Sequence, residues 1–191
     1  MPDAPTLVQN AILRVLSEIP VSRESRGDHP AAHARTIAKA AALRTAAVSG
    51  SLSLPPGMWG WLTIVPDLKA VWRIQSQMVA DIAGTFGQES AVSREQMFYC
   101  LFRHAAAHSV GALAVRAGER FFVRRAEAAA IESAVERIGV PIARRVAGRG
   151  LSRWLPVVGA AGVASYAYYD TMRVAKTSIE LFQPAMVTAA E

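Results

Sequence analysis

The most apolar stretch of the chain limits what it can fold into. Residues 155–169, fifteen in all, lie between Trp154 and Asp170 without a single charge. A helix needs roughly 20 apolar residues to cross a bilayer, so this run is too short to be a membrane span. Small residues in it suit a place where another helix backbone comes close. We therefore predict a central, tightly packed Gly/Ala-rich helix with its closest contact over 157–169, made by Gly159, Ala160, Ala161, Gly162 and Ala164.

Alanine explains most of the apolar composition. Hydrophobic residues make up 52% of the chain but aromatic residues only 7%, and alanine-rich windows such as 38–47 and 126–134 have high helix propensity. Alternation of β-branched residues, the pattern of a half-buried strand, is nearly absent. The chain has 191 residues, which is the size of one domain. The sequence therefore predicts an all-α fold, a single compact multi-helix domain.

Helix-breaking residues divide the first half of the chain. A short helix is expected over 6–19, followed by a polar linker that ends near residue 28. Pro30 suits the first position of a second helix, and Gly50 is expected to end it. Residues 51–66 are rich in proline and glycine yet apolar, which predicts an apolar loop. A third helix is expected to begin at Pro66.

Apolar stripes place the remaining helices. The third helix carries a stripe opposite Lys69 and Arg73. Ser93 and Gln96 have the spacing of a capping box and start a fourth helix that includes both His104 and His108. An arginine-rich helix is expected over 121–138, and Pro184 is expected to end the last helix. The stripe on the third helix consists of Leu68, Val71, Trp72, Gln75, Met78, Val79 and Ile82.

Positive charge is concentrated in the second half of the chain. The net charge is +6, and the segment between Phe102 and Trp154 contains ten arginines against four glutamates. A concentrated basic region indicates an anionic partner, such as an acidic membrane surface, nucleic acid or an acidic protein. The alternative is a solvated helix face, because arginine is a good helix former. No helix-turn-helix signature or exposed aromatic residues accompany the arginines, so nucleic acid is not favoured.

Tryptophans lie in the two apolar segments that contain proline and glycine. Trp59 and Trp61 lie in the first, and Trp154 lies in the second beside Arg149 and Arg153. Tryptophan and arginine at an apolar–polar junction suit a lipid interface. The alternative is that these tryptophans fill the core. The sequence thus gives a candidate membrane or partner contact and leaves both interpretations open.

The same segments resemble the EcsC family. The resemblance is carried by residues 54–57, 61–68, 154–162 and 167–170, and it spans about 32–182. It implies a bacterial, membrane-proximal helper protein, since the family takes its name from a gene beside an ABC transporter, and it supplies no established active site. On this basis residues 1–28 form an N-terminal helix and linker, 29–184 an EcsC-like helical domain, and 185–191 a C-terminal tail.

The histidines offer the one candidate metal site. His29/His33 and His104/His108 are pairs spaced four residues apart, which places both rings on one face of a helix. The zinc-protease pattern also needs glutamate directly after the first histidine, and Ala105 stands there instead. A hydrogen-bonded core histidine is the commoner outcome. His104 and His108 remain the candidate ligands, and no cofactor is expected.

Catalytic motifs are otherwise missing from the sequence. It contains no nucleophile elbow, Walker loop or dinucleotide-binding loop. Cys100, the single cysteine, is flanked by apolar residues and is interpreted as a core residue. It excludes an internal disulfide, and the N-terminal residues show no signal peptide, so the cytoplasm is the expected compartment.

These features favour a non-enzymatic accessory protein. It would dock on the cytoplasmic membrane face, or on a membrane protein connected with transport, through the apolar tryptophan segments and the basic helices. One alternative is a soluble metal-binding protein or metal-dependent hydrolase that uses His104 and His108. Another is a carrier that binds a lipid or other apolar ligand between helices. The oligomeric state is left open.

Overall fold

Helices account for nearly all of the described structure. The structure, a computed structural model, describes residues 4–52, 60–88, 92–104, 114–117, 120–123, 128–147 and 156–184. The described residues form six helices and one short hairpin, which confirms the all-α class. In chain order these are α1 (Ala4–Ser17), α2 (Pro30–Leu52), α3 (Gly60–Thr85), α4 (Arg94–Phe102), β1 (Ala114–Ala117), β2 (Arg120–Val123), α5 (Ala128–Ala147) and α6 (Pro156–Phe182).

The hairpin was not expected from the sequence. β1 and β2 are antiparallel, with Ala114 opposite Val123 and Ala117 opposite Arg120. The predicted arginine-rich helix over 121–138 is therefore wrong at its start, because Phe121–Val123 belong to a strand and helix α5 begins only at Ala128. Aromatic and β-branched residues favour extended backbone, and here that preference outweighs the neighbouring alanines.

Two predicted helix ends are also corrected. Helix α2 continues through Gly50 to Leu52, and α3 begins at Gly60 and passes through Pro66. Much of the expected apolar loop over 51–66 is thus helical, while residues 53–59 lie outside the described residues. Proline lacks a backbone N–H donor. Helix α3 nevertheless continues through Pro66 without that hydrogen bond.

Helix α4 begins as predicted and ends earlier than predicted. The Ser93 side chain accepts from the Gln96 N–H while the Gln96 side chain accepts from the Ser93 N–H, which confirms the capping box. The helix ends at Phe102, so His104 lies in a turn after it. Six successive residues, 97–102, are buried, and a helix that is apolar all round lies inside the core.

The core draws on all six described helices, with α2 contributing Ala34, Ala38 and Ala41. Phe102 is at its centre, with its ring centroid 5.5 Å from Trp72 and 5.3 Å from Phe98. Helix α1 belongs to the same core, so the core includes residues on both sides of position 28. Buried side chains of the other helices include Val8, Ile12, Leu16, Met78, Val79, Ile82, Ile131, Val135, Ile138, Val174 and Phe182.

Helix α6 packs most extensively against α2, and it also contacts α3, α4 and β2. The close approach is at Gly50, where an added Cβ would lie 3.4 Å from the Ala164 Cβ and 3.9 Å from the Ala160 carbonyl oxygen. Gly162 faces the other way, with open space around the position of its missing side chain. The expectation that Gly162 lies in the helix contact is therefore wrong. Ala161, Ser165, Tyr166 and Tyr169 around it are also exposed, and the buried residues of α6 lie mainly at 171–182, so this part of the helix is less tightly packed than predicted. None of the helices in the described part of the chain has the length and hydropathy of a membrane span.

Candidate functional site

A chain of hydrogen bonds between polar side chains crosses the core between α2, α3 and α6. The Gln75 side-chain amide lies 3.1 Å from Asp170 Oδ2 and 3.1 Å from Thr171 Oγ1, and can donate one proton to each. Thr171 Oγ1 is 2.9 Å from Thr45 Oγ1, and Thr45 donates to backbone carbonyls of its own helix. Each donor in this series of hydrogen bonds therefore has an acceptor, which is what buried polar groups require.

His104 is the last residue of this series of hydrogen bonds and contacts Asp170. Its Nε2 is 2.7 Å from Asp170 Oδ1, and an ionised carboxylate can only accept, so Nε2 carries the proton. Nδ1 is buried and has no hydrogen-bond partner among the described residues. A histidine held by a carboxylate on one nitrogen and free on the other is the arrangement found in many metal-binding histidines.

The described residues do not complete a metal site. His108 lies outside them, and no three acidic, histidine or cysteine side chains come together within the described ranges. Asp170 is hydrogen-bonded to His104 and Gln75. The Arg173 guanidinium lies over the Tyr169 ring, 4.7 Å from its centroid.

Cys100 is a core residue, as predicted. It is fully buried in α4. Burial raises the pKa of its thiol to about 12, although the Ser178 side chain, by hydrogen bonding, acts in the opposite direction. A thiol with this pKa stays protonated at neutral pH and is a poor nucleophile.

A groove of about 1130 Å³ lies on the other side of α2, between α1, α2 and α3. We call it the α1–α3 groove. Its floor is apolar: Ala11, Ala41 and Met78 are buried, and the side chains above them are half-buried or exposed. The residues on this apolar surface are Val15, Ile37, Ala40, Ala70 and Ile74.

The carboxylates at one end of this groove already have partners. Glu24 Oε2 is 2.8 Å from His33 Nε2. Asp81 Oδ1 accepts from the backbone N–H of Arg23 at 2.9 Å and from the Gln77 amide at 2.8 Å. These contacts join the start of α2 to the end of α3, which shows that the two helices are antiparallel. We call this the acidic end of the groove. Arg23, which is exposed and adjoins Glu24, lines it too, and Glu18 is a further carboxylate of the groove lining.

Cations surround the rest of the groove. Arg44, Lys69 and Arg73 lie toward the opposite end, because α2 and α3 are antiparallel, and Arg14 of α1 also lines the groove. All four side chains are exposed, and none forms an ion pair with any other described residue. We call Arg44, Lys69 and Arg73 the basic end. Lys69 and Arg73 are four residues apart on α3, where like charges repel each other.

The contact residues predicted from the sequence lie mostly beyond the part of the chain that the structure describes: Trp59, Trp154, Arg149 and Arg153 are all outside it. Trp61 lies in the first turn of α3. From the arginine-rich segment, Arg103 pairs with Glu180 at 3.1 Å and lies 5.4 Å from the Tyr99 ring centroid. Arg103 thus makes these two contacts with residues of the protein itself.

The groove cations were missed as a group by the sequence analysis. They come from three helices, and the charge count outside 103–153 is balanced, so no linear run marks them. The one signal was on α3, where Lys69 and Arg73 lie opposite the apolar stripe.

Comparisons with known proteins give no match: no family model fits the chain, and no curated protein or solved structure is significantly similar to it.

Proposed function

We propose that the protein is a non-enzymatic accessory protein that docks on an anionic membrane surface, at the cytoplasmic face, or on a membrane protein. In this proposal Trp59, Trp61 and Trp154 contact the lipid interface, with Arg149 and Arg153 beside them. The resemblance to the EcsC family favours the same role, because it implies a membrane-proximal helper.

One observation carries the proposal: exposed cations without ion-pair partners line the rim of an apolar groove. Arg14, Arg44, Lys69 and Arg73 have no carboxylate partner in the described ranges, while Glu24 and Asp81 are occupied by other contacts. Basic residues near an anionic bilayer each contribute about 1 kcal/mol to binding. An anionic surface would supply the counter-charge that the fold itself does not.

Sedimentation with lipid vesicles tests this proposal. We expect binding to vesicles that contain phosphatidylglycerol, little binding to pure phosphatidylcholine, and weaker binding as salt rises, because surface charges are screened. Failure to bind phosphatidylglycerol vesicles at low salt would overturn docking on a lipid surface and leave a membrane protein as the partner.

A matched pair of variants tests where the charge matters. Arg44→Glu with Arg73→Glu removes two cations and adds two acids at the basic end, which should weaken vesicle binding at least about thirtyfold. Arg35→Glu with Lys39→Glu makes the same change in net charge away from the groove. Equal losses in the two double variants would mean that only net charge matters.

A second candidate function rests on His104. Its Nδ1 has no partner among the described residues, while Asp170 fixes its other nitrogen, which favours a metal-binding protein or metal-dependent hydrolase with His108 as a further ligand. We rank it second because the described residues supply no third ligand. Elemental analysis decides: we expect no stoichiometric zinc or iron, and about one ion per chain, lost in His104→Ala, would promote the metal-binding function.

A further inference from the structure

We infer that the α1–α3 groove binds one acyl chain of an anionic phospholipid, with the phosphate at the basic end. This inference rests on the proposed membrane function and names the ligand that the docked protein would take from the membrane. It also gives the basic end a second role. Besides attracting an anionic membrane surface, these cations would bind the headgroup of one lipid molecule.

The shape of the groove suits a chain lying along it. Lys69 and Asp81 mark its two ends on α3, and at 1.5 Å per residue they are about 18 Å apart along the helix. That distance is similar to the extended length of a long acyl chain. The volume of about 1130 Å³ is slightly above the range of about 300–1000 Å³ that is usual for small-molecule sites.

The lining between the two ends is apolar and incompletely covered. Val15, Ile37 and Ile74 are half-buried, and Ala40 is exposed. Helices of a folded domain normally cover such surface with one another, and here the three helices leave it open. An acyl chain would cover these side chains without needing a hydrogen bond from them.

Charge sets the direction of the ligand. Arg44 on α2 lies at about the level of Arg73 on α3, because the contacts of Glu24, His33 and Asp81 fix the antiparallel alignment. Arginine binds phosphate with two parallel hydrogen bonds, and two arginines with a lysine can surround its oxygens. The acidic end has two carboxylates, Glu24 and Asp81, against one cation, Arg23, so the headgroup is favoured at the basic end.

The charge distribution distinguishes this ligand from a nucleic acid. A nucleic acid carries a phosphate at every nucleotide and needs cations along its whole path. In the α1–α3 groove the surface between the two ends is mainly apolar, and at the acidic end two carboxylates, Glu24 and Asp81, lie near the single cation Arg23. One phosphate attached to one apolar chain matches this pattern.

Binding of lysophosphatidic acid, a single-chain lipid phosphate, tests the inference. It is titrated into the full chain below its micelle concentration, by calorimetry or native mass spectrometry. We expect one molecule per chain, with affinity at least about tenfold above that of lysophosphatidylcholine, whose headgroup has no net charge, and of inorganic phosphate. Equal affinity for inorganic phosphate would show a simple anion site and overturn the acyl part.

Matched variants locate the binding site. Arg44→Glu should weaken lysophosphatidic acid binding at least about tenfold, whereas Lys39→Glu, exposed on the same helix outside the groove, should leave it unchanged. Ala40→Phe should block the acyl chain, and Ala47→Phe, also exposed on α2 outside the groove, should not. If Ala40→Phe fails to fold, Ala70→Leu narrows the groove from α3 instead. Loss of binding in the controls, or its survival in both groove variants, would overturn the inference.

The two proposals fail in different ways. Vesicle binding without lysophosphatidic acid binding would overturn the groove inference and keep the membrane function. Binding of the monomeric lipid without vesicle binding would keep the groove site and overturn docking on a lipid surface.

Discussion

Gln75 shows what a single residue can reveal before the structure is known. It lies on the apolar stripe of α3, and a polar side chain on such a stripe needs a buried partner. The structure supplies two, Asp170 and Thr171, both on α6 and about 95 residues away in the chain. The stripe was predictable from periodicity, whereas the partners depend on how α3 and α6 meet.

Cys100 gives a prediction at the residue scale. We expect its thiol to resist alkylation by iodoacetamide in the native protein at neutral pH and to react readily in denaturant. The reason is that it is fully buried and that burial raises its pKa to about 12, so the thiolate is scarce. Mass spectrometry of labelled protein measures this. Native labelling at the rate of a free cysteine would contradict the buried position.

The same thiol makes stability depend on pH in the alkaline range. The unfolded thiol loses its proton near pH 9, while the folded one keeps it up to about pH 12. The unfolded state therefore binds fewer protons between these values, and the free energy of unfolding falls as pH rises through them. Cys100→Ala removes this contribution, so the difference between wild type and variant should shrink above pH 9.

At the scale of the helix, two glycines show which helix face is packed against a neighbour and which is open. An added Cβ at Gly84, near the end of α3, would collide with Ser22 Oγ and the Glu24 carbonyl oxygen of the linker. Gly162 on α6 has open space at the same position. Both are glycines inside helices, where alanine is intrinsically better by about 1 kcal/mol.

The two alanine substitutions should therefore have opposite signs. Gly162→Ala should raise the free energy of unfolding by about 0.5–1 kcal/mol, because it improves helix propensity and meets nothing. Gly84→Ala should lower it by about 1–3 kcal/mol, because the linker must move away from α3. Urea denaturation of both variants measures the difference. A destabilising Gly162→Ala would show that α6 is covered on this face.

At the scale of the whole molecule, helix α1 joins the N-terminal segment to the common core. Val8, Ile12 and Leu16 are buried against α3 and α5, while Leu7 on the same helix is 38% exposed. The sequence placed this helix correctly to within two residues at each end. It did not show that the helix packs into the core of the rest of the chain.

Leucine truncations along α1 test whether the molecule unfolds as one unit. Leu16→Ala should lower the free energy of unfolding by about 2–5 kcal/mol, the usual cost of truncating a buried leucine. Leu7→Ala, the same change at a half-exposed site, should cost well under half as much. Denaturant unfolding followed by circular dichroism should show one transition in both. A separate early transition in Leu16→Ala would mean that α1 unfolds independently.

The sequence by itself determined the helical class, the approximate place of the helices and their apolar faces, because helix propensity, capping and 3.6-residue periodicity act over short distances. It also identified His104 as a candidate ligand and Cys100 as core. Only the tertiary structure decided which faces meet: Gly50 rather than Gly162 in the α2–α6 contact, and Asp170 beside His104. The α1–α3 groove and its basic end are likewise formed only by the tertiary structure. Its cations come from three helices, and their proximity depends on packing between distant segments, which no local pattern encodes.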